Sequence, residues 1–224
     1  MREIIVFAEG PSDEMFIKRV VAPALRPLNL FLKPQTLKTS QEASGGALSF
    51  GRLERYARNA LRQNKNVVLT TFMDLYGLDT DFPAYVAASN APDIYTRAKI
   101  IEDAMHAAIV GAVGCRPDRF IPHIQPYEFE GLLFSDVNAL VTNEPEWQGY
   151  LPALQKVRAD FETPEHINNS YETKPSKRLE EMLHPKYKKT RHGPLIGESI
   201  GLNKIEMECC HFKRWLDHLR ALAS

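Results

Sequence analysis

Acidic residues directly follow three apolar segments that lie far apart in the chain. These are residues 4–8 with Glu9, residues 66–73 with Asp74, and residues 120–125 with Glu128 and Glu130 close behind. The segments are rich in β-branched and aromatic residues, which is typical of buried strands. In a parallel sheet all strands end at one edge in the same sense, so we expect these carboxylates to converge there. The alternative is that each acid caps a helix independently.

Converging carboxylates repel one another, and a bound divalent cation removes that repulsion. Ligands that are oxygen atoms alone favour Mg²⁺ or Mn²⁺ over Zn²⁺. Asp13 adds an acid at the start of the first predicted helix, where the alternative is a plain N-cap. A metal ion held in this way can polarise a bound substrate and lower the pKa of a bound water.

A turn at Gly10 and Pro11 separates the first predicted strand from the first helix. Open α/β sheets are built from such units and bind ligands where their strands end. Residues 28–32 predict a further strand and residues 40–49 a mobile loop. Further helices are predicted over residues 51–64, 93–113, 145–161, 175–183, 195–200 and 204–222. The expected fold class is therefore α/β, with an α/β domain over residues 1–142 and a helical C-terminal extension over residues 143–224.

Basic residues are concentrated in the last third of the chain. The most basic stretch covers residues 186–193 and includes Lys189, and Lys174, Lys177 and Arg178 precede it. Placed beside the acids, Lys177, Arg178 and Lys189 would bind phosphate groups, and Lys174 would neutralise charge that develops on phosphate oxygens. A solvated loop is the alternative.

The overall charge is balanced, since Lys and Arg total 28 and Asp and Glu total 28. A polyanionic substrate would therefore be attracted by local patches or bound cations rather than by a global field. The three cysteines lack metal-ligand spacing, which indicates a reduced, cytoplasmic protein; Cys209, Cys210 and His211 are interpreted as core thiols and a surface imidazole. We expect no membrane span and no signal peptide.

The segment from Val6 to Asp13, together with a strand that ends in Met73 and Asp74, resembles the Toprim domain of topoisomerases, primases and overcoming-lysogenization-defect nucleases. Residues 73–83, 127–136, 174–179 and 193–215 are similar to a bacterial family of small Toprim-like proteins, domain of unknown function 4276. The resemblance implies a compact parallel sheet flanked by helices. It also implies a glutamate on the first strand and an Asp-x-Asp pair on a later strand.

Glu9 and Asp74 match that glutamate and the first aspartate of the pair, and Asp13 matches a second acid of the nuclease branch. Glu128 and Glu130 lie where the nuclease branch draws its further acids. The second aspartate of the pair is missing, because Tyr76 stands in its place. Asp79 or Asp81 is the candidate substitute from the following turn, although neither has the i+2 spacing that points two strand side chains the same way.

The resemblance implies a Mg²⁺- or Mn²⁺-dependent nuclease, with DNA favoured over RNA as its substrate. Such small Toprim-like proteins resemble the nuclease halves of systems that pair with an ATPase in defence against phage. The resemblance therefore implies a partner ATPase, and assembly into a homo-oligomer stays open. One alternative is a degenerate Toprim module that binds a partner protein or nucleic acid without cutting, which Tyr76 favours. Another is phosphoryl transfer or hydrolysis on a small nucleotide, with Asp74 as the nucleophile.

Overall fold

Five parallel strands form a single sheet in this computed structural model, which describes residues 1–37, 48–168 and 170–223 without the side chain of Tyr171. The strands are β1 (Arg2–Ala8), β2 (Leu30–Thr36), β3 (Val68–Asp74), β4 (Phe120–Ile121) and β5 (Ile124–Gln125). Their order is β2-β1-β3-β4, and β5 also pairs with β3. The predicted α/β class is confirmed. Most of the predicted loop, residues 40–47, lies outside the described part of the chain.

Ten α-helices surround the sheet in the described ranges. They are α1 (Pro11–Phe16), α2 (Ala22–Leu25), α3 (Phe50–Gln63), α4 (Ile94–Val113), α5 (Val137–Val141), α6 (Leu151–Ala159), α7 (Pro175–Met182), α8 (Lys189–Ile200), α9 (Leu202–Glu208) and α10 (Cys210–Arg220). A π-helical segment, Ile17–Val21, joins α1 to α2. Among the described helices, none combines the length and the apolar character that crossing a bilayer requires.

Both faces of the sheet are covered, because strand side chains alternate between the two faces. On one face, Val6 and Phe72 share a buried core with residues of α1, α8 and α10. On the other face, Phe7 and Met73 pack in a second core with α3 and α4. All seven residues of β3 are buried. Apolar residues of the strands thus form the two cores, and the acidic residues Glu9 and Asp74 lie at strand ends.

The helical C-terminal part packs directly on the sheet. The indole Nε1 of Trp215 donates a hydrogen bond to Oγ1 of Thr70, at 2.8 Å. The ring of Phe212 lies 6.1 Å from that of Phe72, centre to centre. These contacts agree with the predicted extension, while its boundary at residue 142 stays a prediction.

Several predicted boundaries differ from the observed ones for identifiable reasons. The predicted strand 120–125 is two short strands, since Pro122 between them has no N–H to donate to the ladder. The helix predicted at 195–200 begins earlier, at Lys189, so the last residues of the basic stretch are helical rather than loop. There, an added Cβ on Gly193 would lie 3.0 Å from the Phe129 ring, which shows how closely the helix packs. Tertiary packing overrides the weak local propensity of Gly193 and Pro194.

Candidate metal centre at the sheet edge

Glu9 and Asp74, which are 65 residues apart in the chain, meet at the carboxyl edge of the sheet. Ala8 at the end of β1 is in register with Phe72 of β3, so Glu9 and Asp74, which follow these residues, lie at the same edge of the sheet. The backbone N–H of Asp74 donates to Oε2 of Glu9 at 3.1 Å. The convergence that the sequence predicted for these two acids is present in the structure.

Asp74, Glu128 and Glu130 form the tightest part of the cluster. One carboxylate oxygen from each lies within 4.8 Å of those of the other two, and all three side chains are buried. The backbone N–H of Phe129 donates to Oδ1 of Asp74 at 2.7 Å. Tyr127 adopts a left-handed conformation (φ 57°) in the link between β5 and the two glutamates. The described residues therefore include a group that is able to hold a metal ion.

Asp13 lies at the third position of α1, and the N-cap residue is Gly10 rather than Asp13. Its Oδ2 accepts a hydrogen bond from the backbone N–H of Gly10 at 3.1 Å, which satisfies an otherwise unpaired donor at the start of α1. Its side chain is also almost fully buried, and the negative charges of Glu9 and Glu130 act on it. Asp13 thus bonds to the backbone at the start of α1 and also faces the other acids.

Two lysines contact the glutamates. Nζ of Lys174 lies 2.8 Å from Oε1 of Glu128, and Nζ of Lys189 lies 3.5 Å from the same oxygen and 3.3 Å from Oε1 of Glu130. The backbone N–H of Ser176, in the first turn of α7, donates to Oε2 of Glu128 at 3.0 Å. Burial raises the pKa of Glu128, but Lys189, Lys174 and Ser176 together bring that pKa below its ordinary value.

The remaining acids are short of positive partners. Burial raises the pKa of Glu9 to about 7, and it raises the pKa values of Asp13 and Asp74 well above their ordinary range. Burial also raises the pKa of Glu130, with the charge of Glu128 adding to the effect. Among the described residues, five carboxylates thus face two ammonium groups, so at neutral pH this group of acids retains protons or takes up cations. The oxygen donors fit a hard divalent ion, Mg²⁺ or Mn²⁺.

Gly77 gives the Glu9 carboxylate the space it occupies. A Cβ built on Gly77 would lie 2.0 Å from Oε2 and 2.3 Å from Cδ of Glu9. Any side chain at position 77 would therefore displace the carboxylate. The sequence indicated only a turn at Gly77, because close contact with a residue 68 positions earlier leaves no local signal. The Tyr187 hydroxyl, which donates to Oε1 of Glu130 at 3.5 Å, was missed for the same reason.

Asp79 and Asp81 accept backbone hydrogen bonds instead of joining the cluster. Oδ1 of Asp79 accepts from the backbone N–H of Thr80 at 2.6 Å. Both oxygens of Asp81 accept from the backbone N–H of Phe50, at 2.9 and 3.0 Å, at the start of α3. Neither acid belongs to the group that lies within reach of a shared ion. The structure therefore does not bring the predicted ligand Asp79 to the site.

Tyr76, which occupies the place of the expected second aspartate, has a hydroxyl that accepts a hydrogen bond from Nδ2 of Asn168 at 2.5 Å. Its ring lies 5.6 Å from that of Tyr127, centre to centre. Tyr76 thus pairs with an aromatic ring and an amide. Glu128 and Glu130, the further acids that the sequence indicated, lie close to Asp74.

The other predicted phosphate-binding residues lie on α7. Nε of Arg178 donates to the backbone oxygen of Thr173 at 2.5 Å, and its guanidinium lies 5.5 Å from the centre of the Phe161 ring. Arg178 therefore supports the chain locally. Lys177 is half-buried beside Ser176, and phosphate binding by Lys177 stays a prediction.

The neighbouring Cys209, Cys210 and His211 differ from their interpretation in two respects. Cys209 is a core thiol, with Sγ 3.3 Å from Oγ of Ser135. Cys210 is exposed, and His211 is buried at 2% exposure rather than lying on the surface. The sequence placed His211 on a helix but could not show which face of it meets the sheet.

A model for the family described as "Domain of unknown function (DUF4276)" matches residues 8–220 of the chain. The matched range contains all five carboxylates of the cluster and both lysines. The searches of curated proteins and of solved structures gave no match.

Proposed function

The chain belongs to the family described as Domain of unknown function (DUF4276), and we propose that it is a Mg²⁺-dependent nuclease of the Toprim type, a hydrolase of phosphodiester bonds. One observation carries the proposal. Five carboxylates from distant parts of the chain meet at the sheet edge beside two lysines, and four of the five are almost fully buried. Acids that are held together against their own repulsion point to a bound cation and to chemistry on an anionic substrate.

In this proposal Glu9, Asp74 and Glu130 hold the ion, and Asp13 holds a second ion or its water shell. The pKa values of these four acids lie above their ordinary values, and the one ion pair of Glu130 among the described residues is with Lys189. A bound Mg²⁺ supplies polarisation of the scissile phosphate and a water of lowered pKa.

Glu128 has a different role, because its carboxylate is already satisfied. Lys174, Lys189 and the N–H of Ser176 all contact it. Glu128 therefore positions the two ammonium groups, which neutralise charge on the phosphate oxygens as the bond breaks. The Lys189 side chain is 37% exposed whereas that of Glu128 is 4% exposed, so a phosphate that approaches from solvent meets Lys189 first.

The substrate we propose is DNA in preference to RNA. The balanced overall charge agrees with a nuclease that is brought to nucleic acid by a partner instead of by a basic groove of its own. That partner, an ATPase acting in phage defence, and the location in the cytoplasm rest on the resemblance to Toprim-like nucleases.

The test is cleavage of supercoiled plasmid and of single-stranded DNA in Mg²⁺ or Mn²⁺. We expect cleavage by the natural protein and its loss in Glu9→Gln and Asp74→Asn, which preserve size. Asp79→Asn is the matched control, since Asp79 follows β3 closely and its side chain accepts hydrogen bonds from Thr80 instead of joining the cluster. Cleavage that survives Asp74→Asn, or that needs no divalent ion, would overturn the proposal.

The hydrogen bond between Tyr76 and Asn168 favours a second candidate function, a non-catalytic Toprim module that binds a partner protein or nucleic acid. A protein with this function would have the same fold but would not cleave nucleic acid. A protein that Mn²⁺ stabilises against heat but that cleaves none of the substrates, with or without Tyr76→Asp, would be such a module.

A further inference from the structure

A second group of metal-ligand side chains lies apart from the carboxylate cluster and shares no residue with it. Glu102 comes from α4, His123 from the link between β4 and β5, and His211 from α10. One ligand atom from each lies within 4.8 Å of the other two. Both imidazoles are almost fully buried, at 1% and 2% exposure.

The spacing of these atoms fits a tetrahedral ion. Oε1 of Glu102 lies 3.0 Å from Nε2 of His211 and 3.7 Å from Nδ1 of His123. Bond lengths to Zn²⁺ place neighbouring ligand atoms of a tetrahedron about 3.4 Å apart, between those two values. Two imidazoles and one carboxylate are a donor set for Zn²⁺ or Co²⁺, in contrast to the oxygen-only set at the sheet edge.

The hydrogen bonds of His123 orient it as a ligand. Its Nε2 lies 3.3 Å from Oε1 of Gln125, and because an amide oxygen only accepts hydrogen bonds, this contact favours the tautomer with its proton on Nε2. The lone pair of a neutral His123 is then on Nδ1, the atom that faces Glu102. Histidines that bind metals typically donate their other ring N–H to an oxygen in this way.

The Nε2 atom of His211 faces more hydrogen-bond acceptors than it can donate to. Its Nε2 lies 3.0 Å from Glu102 Oε1 and 3.1 Å from the backbone oxygen of Ile124, so two acceptors compete for one N–H. Its Nδ1 is buried and has no hydrogen-bond partner in the part of the chain that the structure describes. A cation bound at Nε2 would take the place of that N–H beside the two oxygens, and the ring proton of His211 would then lie on Nδ1.

A surface cavity of about 550 Å³ opens onto the group and is lined by all three residues together with His106 and His218. The cavity gives an ion a route from solvent and leaves a fourth coordination position for water.

We propose that Glu102, His123 and His211 form a second metal site, which takes a Zn²⁺-class ion. The ion would connect α4, the β4–β5 link and α10, and it would thereby stabilise the packing of α10 against the sheet. It would be distinct in chemistry from the Mg²⁺ or Mn²⁺ of the proposed nuclease site.

The test is titration of the full-length chain, without a histidine tag, with Zn²⁺ and with Co²⁺ in excess Mg²⁺. We expect one equivalent of Zn²⁺ to bind, a rise in the melting temperature, and the visible absorption of tetrahedral Co²⁺. Glu102→Gln keeps an acceptor for the Ile124 N–H, so it should fold and yet bind Zn²⁺ at least about 100-fold more weakly. His211→Gln should have the same effect.

Two controls separate this site from its surroundings. His218→Gln removes an exposed histidine of the same cavity and should leave Zn²⁺ binding unchanged. Asp74→Asn should abolish nuclease activity and leave Zn²⁺ binding unchanged, so failure of one proposal is distinguishable from failure of the other. Absence of Zn²⁺ binding, or binding that Glu102→Gln and His211→Gln leave intact, would overturn the second site.

Discussion

A single methyl group added at Gly77 should disable the carboxylate cluster. Gly77→Ala changes no charge, and Gly77 is not among the residues with positive φ, so alanine fits the backbone there. The added Cβ would lie 2.0 Å from Oε2 and 2.4 Å from Oε1 of Glu9. The substitution therefore acts on the Glu9 carboxylate specifically.

The size of the effect follows from that distance. Real Cβ atoms do not approach other heavy atoms closer than 3.0 Å, so the oxygen now at 2.0 Å must move by about 1 Å. That shift would also disturb the hydrogen bond from the Asp74 N–H to Glu9. Misplacing a reacting group by about 1 Å costs ~100-fold in rate, equivalent to ~2.7 kcal/mol. The overpacking itself should lower the free energy of unfolding by ~1–3 kcal/mol.

The assay is Mn²⁺ affinity by calorimetry together with the rate of plasmid cleavage. Gly111→Ala is the matched control, because nothing lies within 4 Å of a Cβ built there, and this helix position should gain ~1 kcal/mol in stability with unchanged activity. In a Glu9→Ala background, Gly77→Ala should have no further effect on Mn²⁺ affinity. A Gly77→Ala protein that binds Mn²⁺ and cleaves DNA like the natural protein would refute the reasoning.

Three other predictions follow from contacts in the same structure. Burial raises the pKa of Glu9 from 4.5 to about 7, so the folded metal-free protein keeps a proton that the unfolded chain releases. The free energy of unfolding of the metal-free protein should therefore fall by up to ~3 kcal/mol between about pH 5 and about pH 7.5. Saturating Mg²⁺ should remove this dependence on pH. Urea unfolding of the metal-free protein that shows the same stability at both pH values would contradict the prediction. Lys189→Gln removes a cation 3.3 Å from Glu130, so calorimetry should show Mn²⁺ binding up to ~10-fold tighter. The rate of cleavage should fall ~100-fold, because Lys189 no longer neutralises charge on the phosphate. Weaker Mn²⁺ binding would count against the roles assigned to Lys189 and Glu130. The two carboxylate oxygens of Glu165 accept hydrogen bonds from the N–H groups of His211 and Phe212 at the start of α10, and Glu165→Gln removes one of these acceptors. Urea unfolding should then show a free energy of unfolding lower by ~1–3 kcal/mol. An unchanged urea midpoint would count against this capping role of Glu165.

The main strands were predictable because their sequences are locally consistent. The β-branched and aromatic run before Asp74 forms a strand buried along its whole length, as the pattern indicated. The helix predicted over residues 93–113 is α4, and Asp93 caps it by accepting a hydrogen bond from the N–H of Thr96. The second strand is Leu30–Thr36 instead of residues 28–32, since a 3-10 turn and a left-handed Asn29 come first.

The sequence predicted the position of an acid in the site only where the strand topology alone determines it. Strand ends put Glu9 and Asp74 together, but they do not specify what a turn residue such as Asp79 contacts. The Glu102, His123 and His211 group was not predicted, because its members come from elements whose packing has no sequence signature. Helical spacing puts His211 on α10 but does not say that the helix turns this residue toward the sheet.

The most direct test of the central claim is a crystal soaked in Mn²⁺ and measured for anomalous scattering. We expect a peak bordered by the carboxylates of Glu9, Asp74 and Glu130, and its absence from Asp74→Asn crystals grown in the same way. A soaked crystal with no anomalous peak at this sheet edge, or with a peak that Asp74→Asn leaves in place, would contradict the claim that these acids jointly hold a divalent ion.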